Sequence, residues 1–553
     1  MDLSDEEKRE IGQHFVFGFH GYEVSEDAKE LINMYHVGNI ILMKRNVQSV
    51  KQVHALVQSL QQCARDAGHR HPLMIGIDQE NGLVSAFSST AKYQAGTQFP
   101  GAMAIAATGD PEYARKCSSA SAREMKAVGI NWSYSPVGDV NSDSRNPVIG
   151  VRSFGDDPAE VARFAKAVGD GLTQGGVAPS AKHFPGHGDT NIDSHLGLPI
   201  INKSRTELDQ TELKPFKELI DAGVASIMTG HMVIQALTGD GETPASLSRA
   251  VTTTLLREDL QFEGVVVTDC LEMNAVKERQ GGVPRGAVEA LAAGADVVMV
   301  CHTMAFHRGA MEATYKAVQT GELHMDELRK SGDRITALKR KFAGTWDDVL
   351  GNPFDEKAMI ALQATNKKLS EEAYAKSTAL ISGSLPVFSS GKIVVMTPVV
   401  ESLNAAVDDA EGLQRTEKGH VRNTAAPYYV SFAESVGRRA ADVEHLVYAA
   451  DFDCGRDFGD GLIFVTRNAD RSAWQLDVLE RVATQAALTG VPIVVLASCA
   501  PYELFSRRVL GVQACVASFE YTSEALETAA NVIFNEVPPV GESPVGINIR
   551  GQY

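Results

Sequence analysis

Ala181-Lys182-His183-Phe184-Pro185-Gly186-His187-Gly188-Asp189-Thr190-Asn191-Ile192-Asp193-Ser194-His195 gathers three histidines, two aspartates and a lysine into fifteen residues. Burying so many ionisable groups without partners costs too much for a core segment. The stretch follows an apolar run directly, which points to a chemically active loop at a strand end. Asp193 and His195 are two residues apart, and a carboxylate that close can fix the tautomer of an imidazole and raise its basicity. Such a pair exchanges protons near neutral pH; the alternative is that Asp193 caps a turn and His195 is a satisfied interior histidine. His183 and His187 have an HxxxH spacing, but Phe184-Pro185-Gly186 prevents the helix that a zincin site needs, and the zincin glutamate is missing. Loop histidines combined with Asp269 stay open as a metal set.

Asp269 ends the apolar run Gly264-Val265-Val266-Val267-Thr268. A carboxylate there is a nucleophile, a general base, a metal ligand or the cap of the next helix. Arg152 follows the Pro/Gly-rich stretch Asn146–Gly150; its planar fork suits hydroxyl or carboxylate ligands, and taken alone it reads as a surface salt bridge. Gln280-Gly281-Gly282 matches neither a P-loop nor a dinucleotide fingerprint, so no phosphate cofactor is expected.

The elements that position these residues are short β-branched runs alternating with helical patterns. Strands are expected at Gly38–Met43, Leu73–Ile77, Trp132–Val137, Val177–Ala181, Ala225–Met228, Gly264–Thr268 and Asp296–Val300. Helices are expected between several of them, among others at Val50–Ala67, Pro158–Leu172, Thr206–Asp221, Thr252–Leu260 and Arg285–Ala293. Strands apolar throughout imply a parallel sheet covered on both faces. Seven or eight such units suit a TIM-type (β/α)8 barrel, whose strand ends would bring Asp78, Asp139, Lys182, His183, His231 and Asp269 to one face. Residues 1–345 are assigned to the barrel, 346–380 to a charged helical linker, and 381–553 to a C-terminal α/β sandwich domain. The last has strands near Lys392–Met396, His445–Val447, Leu462–Thr466, Pro492–Ala497 and Ala514–Ala517, and helices at Gln475–Leu488 and Ser523–Asn535.

A length of 553 residues calls for more than one core, and 44% apolar with 22% charged residues is a globular composition. The formal charge of -18 argues against nucleic acid or an anionic membrane as partner. No run approaches the ~20 apolar residues that span a bilayer, and the acidic start lacks a secretory pattern. Seven widely spaced cysteines fit reduced thiols, so a cytoplasmic location is expected.

Together these residues resemble glycoside hydrolase family 3, in its β-N-acetylglucosaminidase branch. The resemblance runs in order through Gly76-Ile77-Asp78-Gln79-Glu80, Pro136–Val140, Asn146–Gly155, Lys182–His195, His231-Met232 and Thr268–Met273, covering the first ~340 residues. It implies that Asp269 is the nucleophile, His195 the acid/base and Asp193 its orienting partner, and that Asp78, Arg152, Lys182 and His183 bind the sugar. The implied reaction is retaining, exo-acting hydrolysis of terminal β-linked N-acetylglucosamine from chitooligosaccharides or related glycans, without metal or cofactor. Phosphorolysis by the same branch and glycan binding without turnover are the alternatives. One position departs from the family: Ala86 stands where an arginine usually contacts sugar hydroxyls, and Lys44 or Arg45 is offered as a substitute.

Overall fold

Eight short apolar runs pair into a closed, all-parallel barrel: β1 (Phe15–Phe17), β2 (Asn39–Leu42), β3 (Met74–Ile77), β4 (Trp132–Ser133), β5 (Ala178–Phe184), β6 (Ser226–Thr229), β7 (Val265–Cys270) and β8 (Val297–Val300). They follow one another around the barrel in chain order, and β8 returns to pair with β1. The computed structural model describes residues 2–89, 94–190, 197–351, 353–388, 391–399 and 426–546. Asp193 and His195 lie outside the described residues, as does Asn352 of the predicted break.

Alternation along each strand divides the apolar residues between two cores. Val16, Ile41, Met74, Trp132, Met228, Val265, Val267, Val297 and Met299 fill the barrel. Phe15, Phe17, Ile40, Leu42, Ile75, Ile77, Val266 and Val298 face the surrounding helices. Helix Met325–Phe342 closes the N-terminal end: Ile335, Leu338 and Phe342 join the inner cluster. Its Lys339 donates to the carbonyl of Gly38 at 2.8 Å, and its Arg334 pairs with Asp296 at 2.6 Å. The opposite end, where the charged strand ends emerge, is left for a site.

Several elements differ from the sequence expectation, among them the unanticipated strand Ala379–Gly383 and the strand expected at Gly264–Thr268, which runs on to Cys270. β1 was not anticipated, because three residues directly after helix Asp5–Gln13 are too few to show a period. β4 stops at Ser133 instead of reaching Val137, since Pro136 has no N–H for the ladder. β5 continues to Phe184, so Lys182 and His183 belong to the strand and not to the loop. The helix expected at Thr206–Asp221 is two helices, Arg205–Gln210 and Leu213–Asp221, because the Pro215 ring excludes a helical carbonyl at Thr211.

The second sheet has six strands, β9 (Ala379–Gly383), β10 (Lys392–Pro398), β11 (Asp442–Tyr448), β12 (Gly461–Thr466), β13 (Ile493–Ala497) and β14 (Val512–Ala517). Their spatial order is β9-β14-β13-β12-β10-β11, with only β9 antiparallel to its neighbour. Ile393, Val395, Ile463, Val465, Val494 and Leu496 pack on helices Pro427–Gly437 and Ser523–Ile533. The intervening Val394, Met396, Leu462, Phe464 and Val495 pack on helix Trp474–Ala487. Helices therefore cover both faces, the arrangement that parallel strands require. Among the described residues, no helix is long and apolar enough to cross a membrane.

Glu520, just after β14, ties the two sheets together. Its carboxylate accepts the main-chain N–H of Gly101 from the barrel at 2.7 Å, the hydroxyl of Tyr374 from helix Glu356–Ser377 at 2.8 Å, and the hydroxyl of Thr522 at 2.7 Å. Burial outweighs these donors and pushes its pKa up to about 7. The raised pKa means that Glu520 supports the fold fully below its unfolded value of 4.5 and loses that support as pH rises through about 7. The difference corresponds to on the order of 3 kcal/mol. Glu520→Gln keeps the hydrogen-bonding shape without the charge. Its thermal midpoint, compared with that of the parent chain, is expected to rise between pH 5 and about pH 7 and to level off above it; a constant difference over that range contradicts the assignment.

Candidate active site

β3 and β5 are separated only by β4, so their ends bring Asp78 and Lys182 together. Lys182 Nζ lies 2.6 Å from Asp78 Oδ1 and 2.7 Å from Glu80 Oε1. Glu80 sits in a short hairpin, Gln79–Asn81 against Val84–Ser85, that turns its side chain back under the loop carrying Arg152. Arg152 grips it with two parallel bonds, Nε to Oε2 at 2.9 Å and Nη2 to Oε1 at 2.7 Å, while Nη1 donates to the carbonyl of Val148 at 3.2 Å. The two side chains are 7% and 5% exposed, so Arg152 makes a buried bidentate pair and not the surface salt bridge that its local sequence suggested.

The charges hold one another in place. Burial opposes ionisation of Glu80, but Arg152 and Lys182 overcome it and bring its pKa down to about 2. Burial likewise opposes charge on Lys182, and Asp78 and Glu80 more than offset it, so its pKa is raised. Each cation keeps a donor that no described residue takes: two of the three Lys182 N–H groups go to carboxylates, and Arg152 uses its Nη1 only once. Asp78 is the open member of the cluster, with its side chain 31% exposed.

His183, next to Lys182 in β5, is oriented by Asp139. Its Nδ1 is 2.7 Å from Asp139 Oδ2, and its Nε2 is 3.4 Å from Arg152 Nη2. A guanidinium only donates, so Nε2 carries the lone pair and Nδ1–H points at the carboxylate. Asp139 also accepts the main-chain N–H of His183 at 3.2 Å and of His187 at 2.7 Å, fixing the turn that follows β5. Burial lowers the His187 pKa to about 4, which keeps its ring neutral. At Gly188 a Cβ would lie 1.5 Å from the carbonyl oxygen of Val140, so only glycine lets the chain pass there. Asn146 then clamps the carbonyls of His187 and Gly188 at 2.8 and 3.1 Å.

Asp269 occupies the end of β7, half-buried, with Oδ1 accepting the N–H of Cys270 at 2.7 Å. Burial works against its charge, but His183, His231, the Cys270 N–H and Lys182 together lower its pKa below the usual carboxylate range. The next helix, Asn274–Lys277, has Met273 at its cap position, so Asp269 caps no helix. His231 stabilises the same strand end, with Nδ1 at 2.7 Å from Ser246 Oγ and Nε2 at 2.9 Å from the carbonyl of Cys270.

The structure thus unites four of the seven residues singled out from the sequence, Asp78, Arg152, Lys182 and His183, around Glu80, and sets Asp269 within electrostatic reach of His183 and Lys182. Asp193 and His195 are outside the described residues. Glu80 and Asp139 were visible in the sequence only as polar residues after strands; nothing in the spacing showed that both would be buried against cations or imidazoles. Arg45 donates to the carbonyls of Phe19 and Cys301 at 3.0 and 2.6 Å and to His302 Nδ1 at 3.0 Å. Its fork therefore braces the barrel lip between β1 and β8, and does not take the place of the arginine missing at Ala86.

Residues 5–338 match the glycosyl hydrolase family 3 N-terminal domain. The chain belongs to glycosyl hydrolase family 3. It is 35% identical over 367 residues to "Beta-hexosaminidase A" of Pseudoalteromonas piscicida, an alignment covering 61% of this chain and 60% of that protein. A solved family 3 β-N-acetylglucosaminidase from Paenibacillus sp. str. FPU-7 superposes with a TM-score of 0.86 at 31% identity, over 99% of this chain and 100% of that one. A fungal multi-domain family 3 β-N-acetylglucosaminidase superposes with a TM-score of 0.87 at 36% identity, over 98% of this chain and 61% of that one. The chain thus spans about three fifths of the length of the Pseudoalteromonas and fungal relatives.

Removing the charge of Glu80 leaves Lys182 and Arg152 sharing a buried region with one carboxylate fewer. Glu80→Gln is expected to cost about 3–5 kcal/mol of stability and to lower the thermal midpoint accordingly. A midpoint unchanged from the parent's contradicts the pairing.

Proposed function

We propose that this family 3 chain is an exo-acting retaining β-N-acetylglucosaminidase that removes terminal β-linked N-acetylglucosamine from chitooligosaccharides or related glycans. One observation carries the reading: Asp269, at a strand end, is held in its charged form within electrostatic reach of His183 and Lys182, and Lys182 belongs to a rigid cluster with Asp78, Glu80 and Arg152 whose cations keep donors that no described residue takes. A nucleophile must be ionised when it attacks, and sugar hydroxyls need fixed donors and acceptors. The names of the relatives in Pseudoalteromonas and Paenibacillus support the same substrate class.

In this reading Asp78 accepts from sugar hydroxyls, and the remaining N–H groups of Lys182 and Arg152 donate to them. His183 Nε2 faces the same space, its tautomer set by Asp139. Asp269 attacks the anomeric carbon and forms a glycosyl ester while the aglycone oxygen leaves with a proton from His195. Asp193 supports the imidazolium that donates this proton. Water, deprotonated by His195, then opens the ester with net retention. A histidine acid spares the site a second anion next to Asp269, which most retaining enzymes must accommodate as a carboxylate pair. The free thiols of all seven cysteines support a reducing, cytoplasmic setting.

An aryl β-N-acetylglucosaminide, assayed with and without inorganic phosphate, tests the reading. Free N-acetylglucosamine of retained configuration is expected at a rate indifferent to phosphate; sugar 1-phosphate as the main product gives the phosphorylase instead. Asp269→Asn is expected to lower kcat by about 10⁴-fold or more, and a variant of undiminished rate rules out the nucleophile.

A further inference from the structure

Two thiols and an imidazole converge at the ends of β7 and β8, next to Asp269 in the chain. Cys270 directly follows Asp269 at the end of β7, and Cys301 and His302 follow the neighbouring β8. The parallel register pairs Cys270 with Met299, two residues before Cys301, so Cys301 is the next residue up on that face. The two sulfur atoms and one ring nitrogen of His302 all lie within 4.8 Å of one another. Glu272 Oε2 is 3.9 Å from Cys270 Sγ and accepts the N–H groups of Cys301 at 2.9 Å and His302 at 2.5 Å, which fixes the turn after β8. Cys301 is buried, Cys270 half-buried and His302 exposed, so the group opens to solvent on the imidazole side.

We propose that Cys270, Cys301 and His302 form a binding site for a thiophilic divalent cation of the zinc class, and that its occupancy reversibly arrests turnover. Two sulfurs and an imidazole suit zinc, whereas magnesium and calcium seek oxygen sets. Zinc–sulfur bonds are about 2.3 Å long, so the ligands need to close by only a small side-chain movement. The cation replaces the two thiol protons, which pass to solvent, and the neutral imidazole contributes its lone pair. Arg45, which donates to His302 Nδ1 at 3.0 Å, yields that contact if Nδ1 is the ligating atom. Three protein ligands leave a fourth position open for water or the Glu272 carboxylate.

The arrest follows from the Cys270 peptide. Its N–H is donated to Asp269 and its carbonyl is held by His231 Nε2, so the residue that would bind the cation also positions the carboxylate. The two thiolates balance the charge of the bound cation, so the effect is one of position: the cation draws the strand end toward β8 and shifts the Cys270 peptide that holds Asp269, which weakens attack on carbon. This second clause rests on the hydrolase reading, whereas the binding clause does not.

Cobalt(II) titrated into the full chain under a phosphine reductant separates the two. A thiolate-to-cobalt charge-transfer band is expected, saturating at one ion per chain and bleached by zinc. Cys301→Ser and His302→Ala are each expected to weaken binding at least about 100-fold. In the aryl glycoside assay, zinc is expected to inhibit the parent chain, with recovery on chelation, while both variants keep the metal-free rate and lose the inhibition. No charge-transfer band, or an undiminished one in a Cys270→Ser/Cys301→Ser double variant, overturns the site whether or not the chain hydrolyses anything. Equal inhibition of the parent and of His302→Ala overturns the arrest.

Discussion

A single buried carboxylate, Glu80, organises the charged end of the barrel. Alone, it would be driven to protonate by burial. It stays ionised because Lys182 and Arg152 approach it from two different elements, a strand and a long loop. The dependence is mutual, since neither cation would tolerate burial without an anion. Three segments far apart in sequence, near residues 80, 152 and 182, are thereby fixed relative to one another before any ligand arrives. Preorganisation of this kind lets a site hold a sugar in one pose without a reorganisation cost at binding.

Asp139 performs the equivalent task for the imidazoles. It accepts from the ring and backbone of His183 and from the backbone of His187, so it sets both a tautomer and the course of the chain leaving β5. The motif that begins at Lys182 is therefore anchored at its start by a residue more than forty positions earlier. Gly188 and Asn146 extend that anchorage through His187 and Gly188. On the other side, His231 and the Cys270 peptide brace Asp269.

The barrel was legible in the sequence because its strands are continuous β-branched runs at regular spacing, and Asp269 stood out as a charge ending one of them. β1 was not, since Phe15-Val16-Phe17 is shorter than any detectable period. Lys182 and His183 looked like loop residues because ionisable side chains are rare inside strands; partners at Asp78, Glu80 and Asp139 make their strand positions tolerable. Arg152 was nominated, but its partner was not. Burial of a pair depends on how two distant loops pack, and local spacing carries no trace of that. Glu520 carries no local signal for the same reason, being an ordinary residue in sequence and the shared acceptor of three segments in space.

In the function proposed, the preorganised cluster serves a carboxylate nucleophile at Asp269. The most direct test is intact-protein and peptide mass spectrometry after brief reaction with an activated β-N-acetylglucosaminyl donor carrying fluorine at C5. The fluorine slows both steps, while the good leaving group lets the covalent ester accumulate. A mass gain of one fluorosugar per chain is expected, located on the peptide bearing Asp269 and absent from Asp269→Asn. No adduct during measurable turnover of the ordinary substrate, or an adduct on any other residue, contradicts it.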